Sequence, residues 1–295
     1  MKHSRSRAFD SALADPPTGA AHWSDVAPDP NDPRVMARRA VTLRAAWRDP
    51  IEDRLAFLMD RCRDRRILDI GCVAHDVERM KSPDWLHGRL AVVAASCLGV
   101  DVLAEGAEHM RTLGYDVIVH DLTTGPGPVA AKGPFDVIVA GELIEHVPSL
   151  DMLFTAARDL LSPDGQLIIT TPNPWTPARV AAGQRGDCWE NVDHIMFAFP
   201  SGIAELAERH DLVLSEATTT APTSSRSSGL RDLARTVRRR VRGTGWASVG
   251  FATRGPESVV RIDGGKRVLP TRGPRTPMFV GGTFVYVVRR PAADG

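Results

Sequence analysis

RILDIGCVAHD, Arg66 to Asp76, is the stretch on which the fold turns. Ile67, Leu68 and Ile70 make a short apolar strand, Asp69 sits at its end, and Gly71 opens a turn. An apolar strand that runs straight into a glycine turn is the opening of a nucleotide-binding α/β fold. The turn itself is unusual, because Val73, Ala74 and His75 stand where such loops carry further glycines.

Outward from this stretch, apolar runs alternate with helical segments, the pattern of a mostly parallel sheet covered on both faces. Strands are expected at 66–70, 98–102, 116–122, 135–142 and 165–173, then at 212–218 and within 278–290. Leu150, Leu153, Ala157, Leu160 and Leu161 have helical spacing, and Pro163 and Gly165 are expected to end that helix in a turn. Another helix is expected over 203–210, and "WLHGRLAVVAAS" (85–96) reads as helix as well. Upstream, residues 1–32 are rich in Asp, Pro, Ser and Gly and read as a flexible arm, while 33–62 reads as helix interrupted at Asp49-Pro50. The main domain is expected over 63–290, with a short tail at 291–295 and a basic insertion at about 221–276 between the last two strands.

The formal net charge is +1, so no global field draws the chain to nucleic acid, and no nucleic-acid partner is expected. Cys62, Cys72, Cys97 and Cys188 form no CxxC pair and suggest neither zinc nor a disulfide framework. With no dense Asp/His cluster either, no metal is expected. No apolar run reaches the length of a membrane span and no apolar leader opens the chain, so a cytoplasmic protein is expected.

The chemistry lies at the strand ends. A carboxylate at Asp69 would repel a pyrophosphate but suits a cationic ligand, and S-adenosylmethionine carries both an ammonium and a sulfonium. Asp101 ends the second strand, where a carboxylate can accept two ribose hydroxyls, an arrangement general to nucleotide-binding α/β proteins. Asp121 ends the third and could accept from an adenine amine. Gly141 permits close approach of backbone to ligand at the end of the fourth strand. Beyond it Glu142, Glu145 and His146 stand where an acceptor would arrive. Glu145 could balance positive charge or merely cap the next helix, and His146 could take a proton or merely pack.

With these residues in place, "ILDIGC", "GVD", "HDL" and "FDVIVAGELIEHVPSLDMLFTAARDLLSPDGQLIITTPNP" resemble the class I S-adenosylmethionine-dependent methyltransferases. The likeness is to the small-molecule branch that includes the ubiquinone-biosynthesis O-methyltransferases, over about 66–214. It implies a Rossmann-like seven-stranded, mostly parallel sheet with helices on both faces and an antiparallel last strand. It also implies a cofactor site of Asp69, Gly71, Cys72, His75, Asp101, Val102, Asp121, Leu122, Gly141 and Glu142. His194 matches a histidine that in the family faces the acceptor, so Glu145, His146 and His194 are the expected catalytic residues. Asn173, Trp175, Trp189 and Asn191 could join His194 in a polar-ring pocket, or the tryptophans could be plain packing.

The sequence departs from the family in its loop, where only Gly71 matches. Either the longer loop rebuilds the pocket with His75, Trp85 or His87, or the site is degenerate. The expected function is methyl transfer to a small molecule, most simply to oxygen. The alternatives are a non-catalytic cofactor-fold protein that binds a partner, and a nicotinamide-dependent oxidoreductase, which Asp69 and the missing GxGxxG argue against.

The insertion holds twelve arginines and Lys266 against Asp232, Glu257 and Asp263. Within it, Leu230, Leu233, Val237 and Val241 align on one stripe of a basic helix over 229–242. Such a helix suits an anionic acceptor, peripheral contact with an anionic membrane, or a solvated lid.

Overall fold

The computed structural model describes residues 22–74, 77–187, 190–221, 259–262, 265–268 and 281–291. The chain divides into two compact units, Met1–Ala221 with Thr276–Gly295, and Pro222–Arg275.

In the larger unit, Pro33–Ala46 (α1) and Arg54–Cys62 (α2) precede the sheet, as the interruption at Asp49-Pro50 predicts. Asp32 and Asp53 cap these helices, Asp32 accepting from Arg34 N and Asp53 from Leu55 N and Ala56 N. Next come Arg66–Ile70 (β1), Leu86–Val93 (α3), Ser96–Asp101 (β2), Ala104–Thr112 (α4), Asp116–Val119 (β3) and Phe135–Gly141 (β4). Leu150–Leu160 (α5), Leu161–Pro172 (β5), Pro177–Arg185 (α6), Pro200–Arg209 (α7) and Val213–Thr219 (β6) follow. The smaller unit contributes the antiparallel pair Val259–Ile262 (β7) and Gly265–Val268 (β8), and Thr283–Arg289 (β9) returns to the main sheet.

The seven-stranded order is β3-β2-β1-β4-β5-β9-β6, parallel from β3 through β5, with β9 antiparallel to both neighbours. The Rossmann-like expectation, including the antiparallel last strand and its pairing beside the 212–218 run, agrees with this sheet. The chain leaves β1 in one direction toward β2 and β3, then crosses back to β4. The crevice for a ligand therefore opens between the carboxyl ends of β1 and β4.

Alternation along each strand builds two cores. Leu68, Ile70, Ile138, Ala140, Leu167 and Ile169 face one side with Leu153, Phe154 and Ala157 of α5 and Ile203 and Ala207 of α7. Ile67, Val137, Val139 and Ile168 face the other with Leu58 of α2 and Leu90 of α3. The segment after α1 closes the sheet's edge: Arg48 and Ile51 donate backbone bonds to Ala217 and Thr219 of β6.

Three local features differ from expectation. The expected turn at 162–165 lies inside β5, because α5 passes directly into strand at Leu161 and the irregularity becomes a register shift against Phe135 and Val137. Residues 22–32 are anchored, since His22 and Trp23 both bond the carboxylate of Glu205 in α7. The hairpin β7–β8, with Ile262 opposite Gly265, has its sequence signal in Asp263-Gly264, a pair suited to a two-residue turn. The arm 1–21, the basic run 229–242 and the tail 292–295 lie outside the described residues.

Candidate active site

One cavity of about 640 Å³ lies at the carboxyl ends of β1 to β4. It gathers Asp69, Gly71, Cys72, Asp101, Val102, Asp121, Leu122, Gly141, Glu142 and His146 from the sequence-predicted set. Arg54, Trp85, His87, Leu103, His120 and Leu143 line it as well. His75 lies outside the described residues.

The glycine-poor loop is accommodated by glycines on the elements it touches. Gly71 keeps the sharp turn at φ +73°, and a Cβ there would meet Leu143 Cδ1 at 2.8 Å. Cys72 and Val73 then project inward. Cys72 Sγ fills the space over Gly99 of β2, 2.6 Å from where a Cβ would stand, and Val73 fills the space over Gly106 of α4. Trp85 donates its indole N–H to the carbonyl of Cys72 at 3.3 Å and packs edge-on to Tyr115. Residues 71–73 are thus packed in place, with the missing glycines offset on β2 and α4. Burial, with Asp69 and Asp101 adding to it, pushes the Cys72 thiol up, so it stays protonated and is no nucleophile.

Each acid has an internal anchor. Asp69 is 2% exposed, and its Oδ2 stands 2.9 Å from Nδ1 of the equally buried His87. Asp101 accepts from Val73 N at 2.8 Å through Oδ2 and from Leu103 N at 3.0 Å through Oδ1. That bond ties the loop to β2 and leaves each oxygen a further lone pair. Asp121 uses Oδ1 for the amide and hydroxyl of Thr123. His87, offered by the sequence as a group near the ligand, lines the cavity and is also the partner that orients Asp69.

Glu142 follows β4 in the left-handed region at φ +51°, a conformation a non-glycine residue adopts at a cost. Its amide bonds Thr170 O, and Arg54 Nη1 reaches both Glu142 Oε1 and Thr170 Oγ1 at 3.1 Å. Nothing in the sequence pointed to Arg54, which caps no motif and stands 88 residues from Glu142.

Beyond Glu142 in the chain, Glu145, His146 and His194 converge, with the two imidazoles 4.8 Å apart between centroids and nearly perpendicular; of the three, His146 lines the cavity. His146 Nδ1 pairs with Asp193 at 3.1 Å, and His194 Nδ1 with Glu190 at 3.0 Å. Arg179 in turn holds Glu190. Glu145 is 1% exposed, so it does not sit openly at the mouth, and burial pushes its carboxyl up to about 7. It does not cap α5, whose N-cap is Ser149. Asn173 is also corrected as a pocket residue. It is fully buried, donates to Gly281 O and accepts from Trp175 N, and so fastens β9 to the end of β5. Trp175 stacks on Phe199 at 4.5 Å, and Trp189 lies outside the described residues.

The chain is 25% identical over 159 residues to the ubiquinone biosynthesis O-methyltransferase of Colwellia psychrerythraea, covering 50% of this chain and 61% of that protein. It is 29% identical over 113 residues to the enzyme of the same description from Pseudomonas aeruginosa, covering 37% and 45%. The matched region therefore spans about half the length of these relatives. Among solved structures the chain is similar to an S-adenosylmethionine-dependent methyltransferase of Thermotoga maritima, a possible histamine N-methyltransferase (TM-score 0.46, 15% identity, 80% of this chain and 90% of that one). It is also similar to a Brevibacillus brevis O-methyltransferase in complex with S-adenosyl-L-homocysteine (TM-score 0.42, 13% identity, 80% and 71%). A methyltransferase-domain family model matches residues 40–217, which contain β1 through β5 and the whole cavity, and by that match the chain belongs to the class I S-adenosylmethionine-dependent methyltransferase family.

Proposed function

We propose that the protein transfers the methyl group of S-adenosylmethionine to an oxygen of a small-molecule acceptor in the cytoplasm. The observation that carries this reading is the single cavity into which β1 to β4 deliver Asp69, Gly71, Asp101, Asp121 and Gly141. Its volume suits a nucleoside joined to an amino acid. Asp69, held by His87 through one oxygen, keeps the other for a cationic amine. Asp101 is the acceptor for ribose hydroxyls, and Asp121 the acceptor for an adenine amine.

When bound, S-adenosylmethionine supplies an activated methyl group on a sulfonium. Transfer to an acceptor oxygen would require that oxygen's proton to be taken up, and an imidazole of this chain would take it. His146 and His194 are suited to that proton because each has a carboxylate on Nδ1, which leaves Nε2 as the basic nitrogen. Positioning does the rest.

Calorimetry with S-adenosylmethionine, its demethylated product and NAD tests the cofactor. The first two should bind and NAD should not; binding of NAD alone would overturn the reading. His146→Ala should lower turnover roughly 10²–10⁴-fold with cofactor affinity held within about twofold. An equal loss of both would remove His146 from the acceptor step. Cofactor binding with no turnover on any hydroxylated acceptor would favour the non-catalytic, partner-binding alternative.

A further inference from the structure

Between the turn at Gly71 and α3 the chain forms a strap along one side of the cavity. Val77–Lys81 is a short 3-10 turn, and residues 82–85 lead on to Leu86 of α3. Two anchors hold the strap. Met80 is buried in an apolar cluster with Cys72, Val73, Ala107, Met110 and Val117. Trp85 bonds the carbonyl of Cys72 and packs on Tyr115, and its ring lies 2.8 Å from where a Cβ on Gly88 would stand. Ala107 and Met110 belong to α4 and Val117 to β3. The Met80 anchor therefore fastens the strap to the elements around Asp101 and Asp121, the acceptors for ribose and adenine, and not to those around β4.

Arg79, Ser82, Asp84 and Trp85 of the strap line the cavity. The other basic side chains there are engaged: Arg54 by Glu142 and Thr170, His87 by Asp69, His120 by Gly125 O and His146 by Asp193. Next to Arg79 in the strap, Lys81 pairs with Glu78. The guanidinium of Arg79 has no hydrogen bond or ion pair among the described residues. Apolar surface is also uncovered at this end, where Val102 and Leu103, directly after Asp101, are 61% and 40% exposed and line the same cavity. A purine carried on a ribose at Asp101 would cover them, and a planar guanidinium stacks on an aromatic ring.

We propose that Arg79 is a cofactor-binding residue whose guanidinium lies over the adenine ring, with the strap 77–85 closing the nucleoside end of the cavity. Adenine is then held between the cation and the surface of Val102 and Leu103. This role rests on the S-adenosylmethionine reading. The sequence concealed it, because Arg79 stands among Glu78 and Lys81 in a stretch without a motif, and only the burial of Met80 sets where the strap lies.

The test titrates the full chain by calorimetry with S-adenosylhomocysteine, which carries the amino-acid end, and with methylthioadenosine, which lacks it. Arg79 is exposed, so its replacement threatens folding little. Arg79→Ala should weaken both ligands by the same factor, about 3–30-fold. Arg79→Lys keeps the charge without the planar face and should recover little of that loss. Met80→Ala, with its fold checked by circular dichroism, should also weaken both, because it releases the strap. Asp69→Asn should instead weaken S-adenosylhomocysteine and spare methylthioadenosine, which shows that the two probes separate the ends of the cavity. Unchanged affinity for methylthioadenosine in Arg79→Ala would overturn the assignment, and so would full recovery in Arg79→Lys. Binding of neither ligand by the folded parent would overturn the S-adenosylmethionine reading itself, and the role of Arg79 with it.

Discussion

Asp69 and Asp101 each have two duties, and substitutions separate them. Asp69 faces the cavity and pairs with buried His87; Asp101 faces the cavity and holds Val73 N. Alanine at either position would strip an internal partner as well as the ligand, leaving a buried imidazole or amide unsatisfied. Asparagine keeps the size and one acceptor oxygen while removing the charge. Asp69→Asn and Asp101→Asn should each weaken S-adenosylmethionine binding by about 10–100-fold, the loss of a hydrogen bond to a charged group, with the protein still folded. Calorimetry beside circular dichroism checks this, and full affinity in both variants would detach these acids from the cofactor.

At the scale of elements, the loop after β1 and the faces of β2 and α4 are matched in volume. Val73 occupies the space that a side chain at position 106 would need, on a helix face buried beneath the loop. Gly106→Ala should therefore push the loop away, destabilise the protein by about 1–3 kcal/mol despite alanine's better helix propensity, and weaken cofactor binding. Val73→Ala in the same chain should recover much of both losses. A double-mutant cycle by denaturant unfolding and cofactor titration measures this coupling, and additive effects would mean that the two positions do not share the space.

Across the whole molecule, ion pairs fasten the outer segments to the sheet. Glu216 of β6 is partly buried, which pushes its carboxyl up, but the bidentate bonds of Arg61 and the charges of Arg289 and Arg48 outweigh this and hold it below its ordinary value. Glu205 of α7 is likewise held low, by Arg209, His22, Trp23 and Arg39 against its partial burial. Because these carboxylates titrate lower in the folded state, their stabilisation is fully present above the unfolded pKa of about 4.3 and is lost as pH falls through the folded values. Thermal midpoints should fall on acidification below roughly pH 5. Glu216→Gln should flatten that dependence while lowering the midpoint at neutral pH, and an unchanged acid slope would remove the α2–β6 pair from the ledger of causes. If the basic run recognises an anionic acceptor or an anionic membrane surface, replacing Arg238, Arg239 and Arg240 with alanine should raise the acceptor KM or release liposome binding, as added salt should also do. A triple variant equal to the parent in both would make that charge a solvated surface.

The sheet was legible because its cause is local: each strand is a short apolar run, and a chain that alternates such runs with amphipathic helices has few ways to bury both faces. The strand-end acids were legible for the same reason, since a strand's carboxyl end is also the ligand edge of a parallel sheet. Partnership across the chain was not legible. That Val73 is tolerated because Gly106 faces it, that His87 serves Asp69, that Arg54 reaches Glu142, and that His194 returns to Glu145 and His146 all depend on contacts between distant residues. Sequence by itself determined the strands of the main sheet, their order of alternation and the acids at their tips, through periodicity and residue chemistry. Only the tertiary structure decided that Cys72 and Val73 fit over glycines of β2 and α4, and that two histidines and a glutamate lie side by side, because both follow from steric fit and proximity that no local pattern encodes.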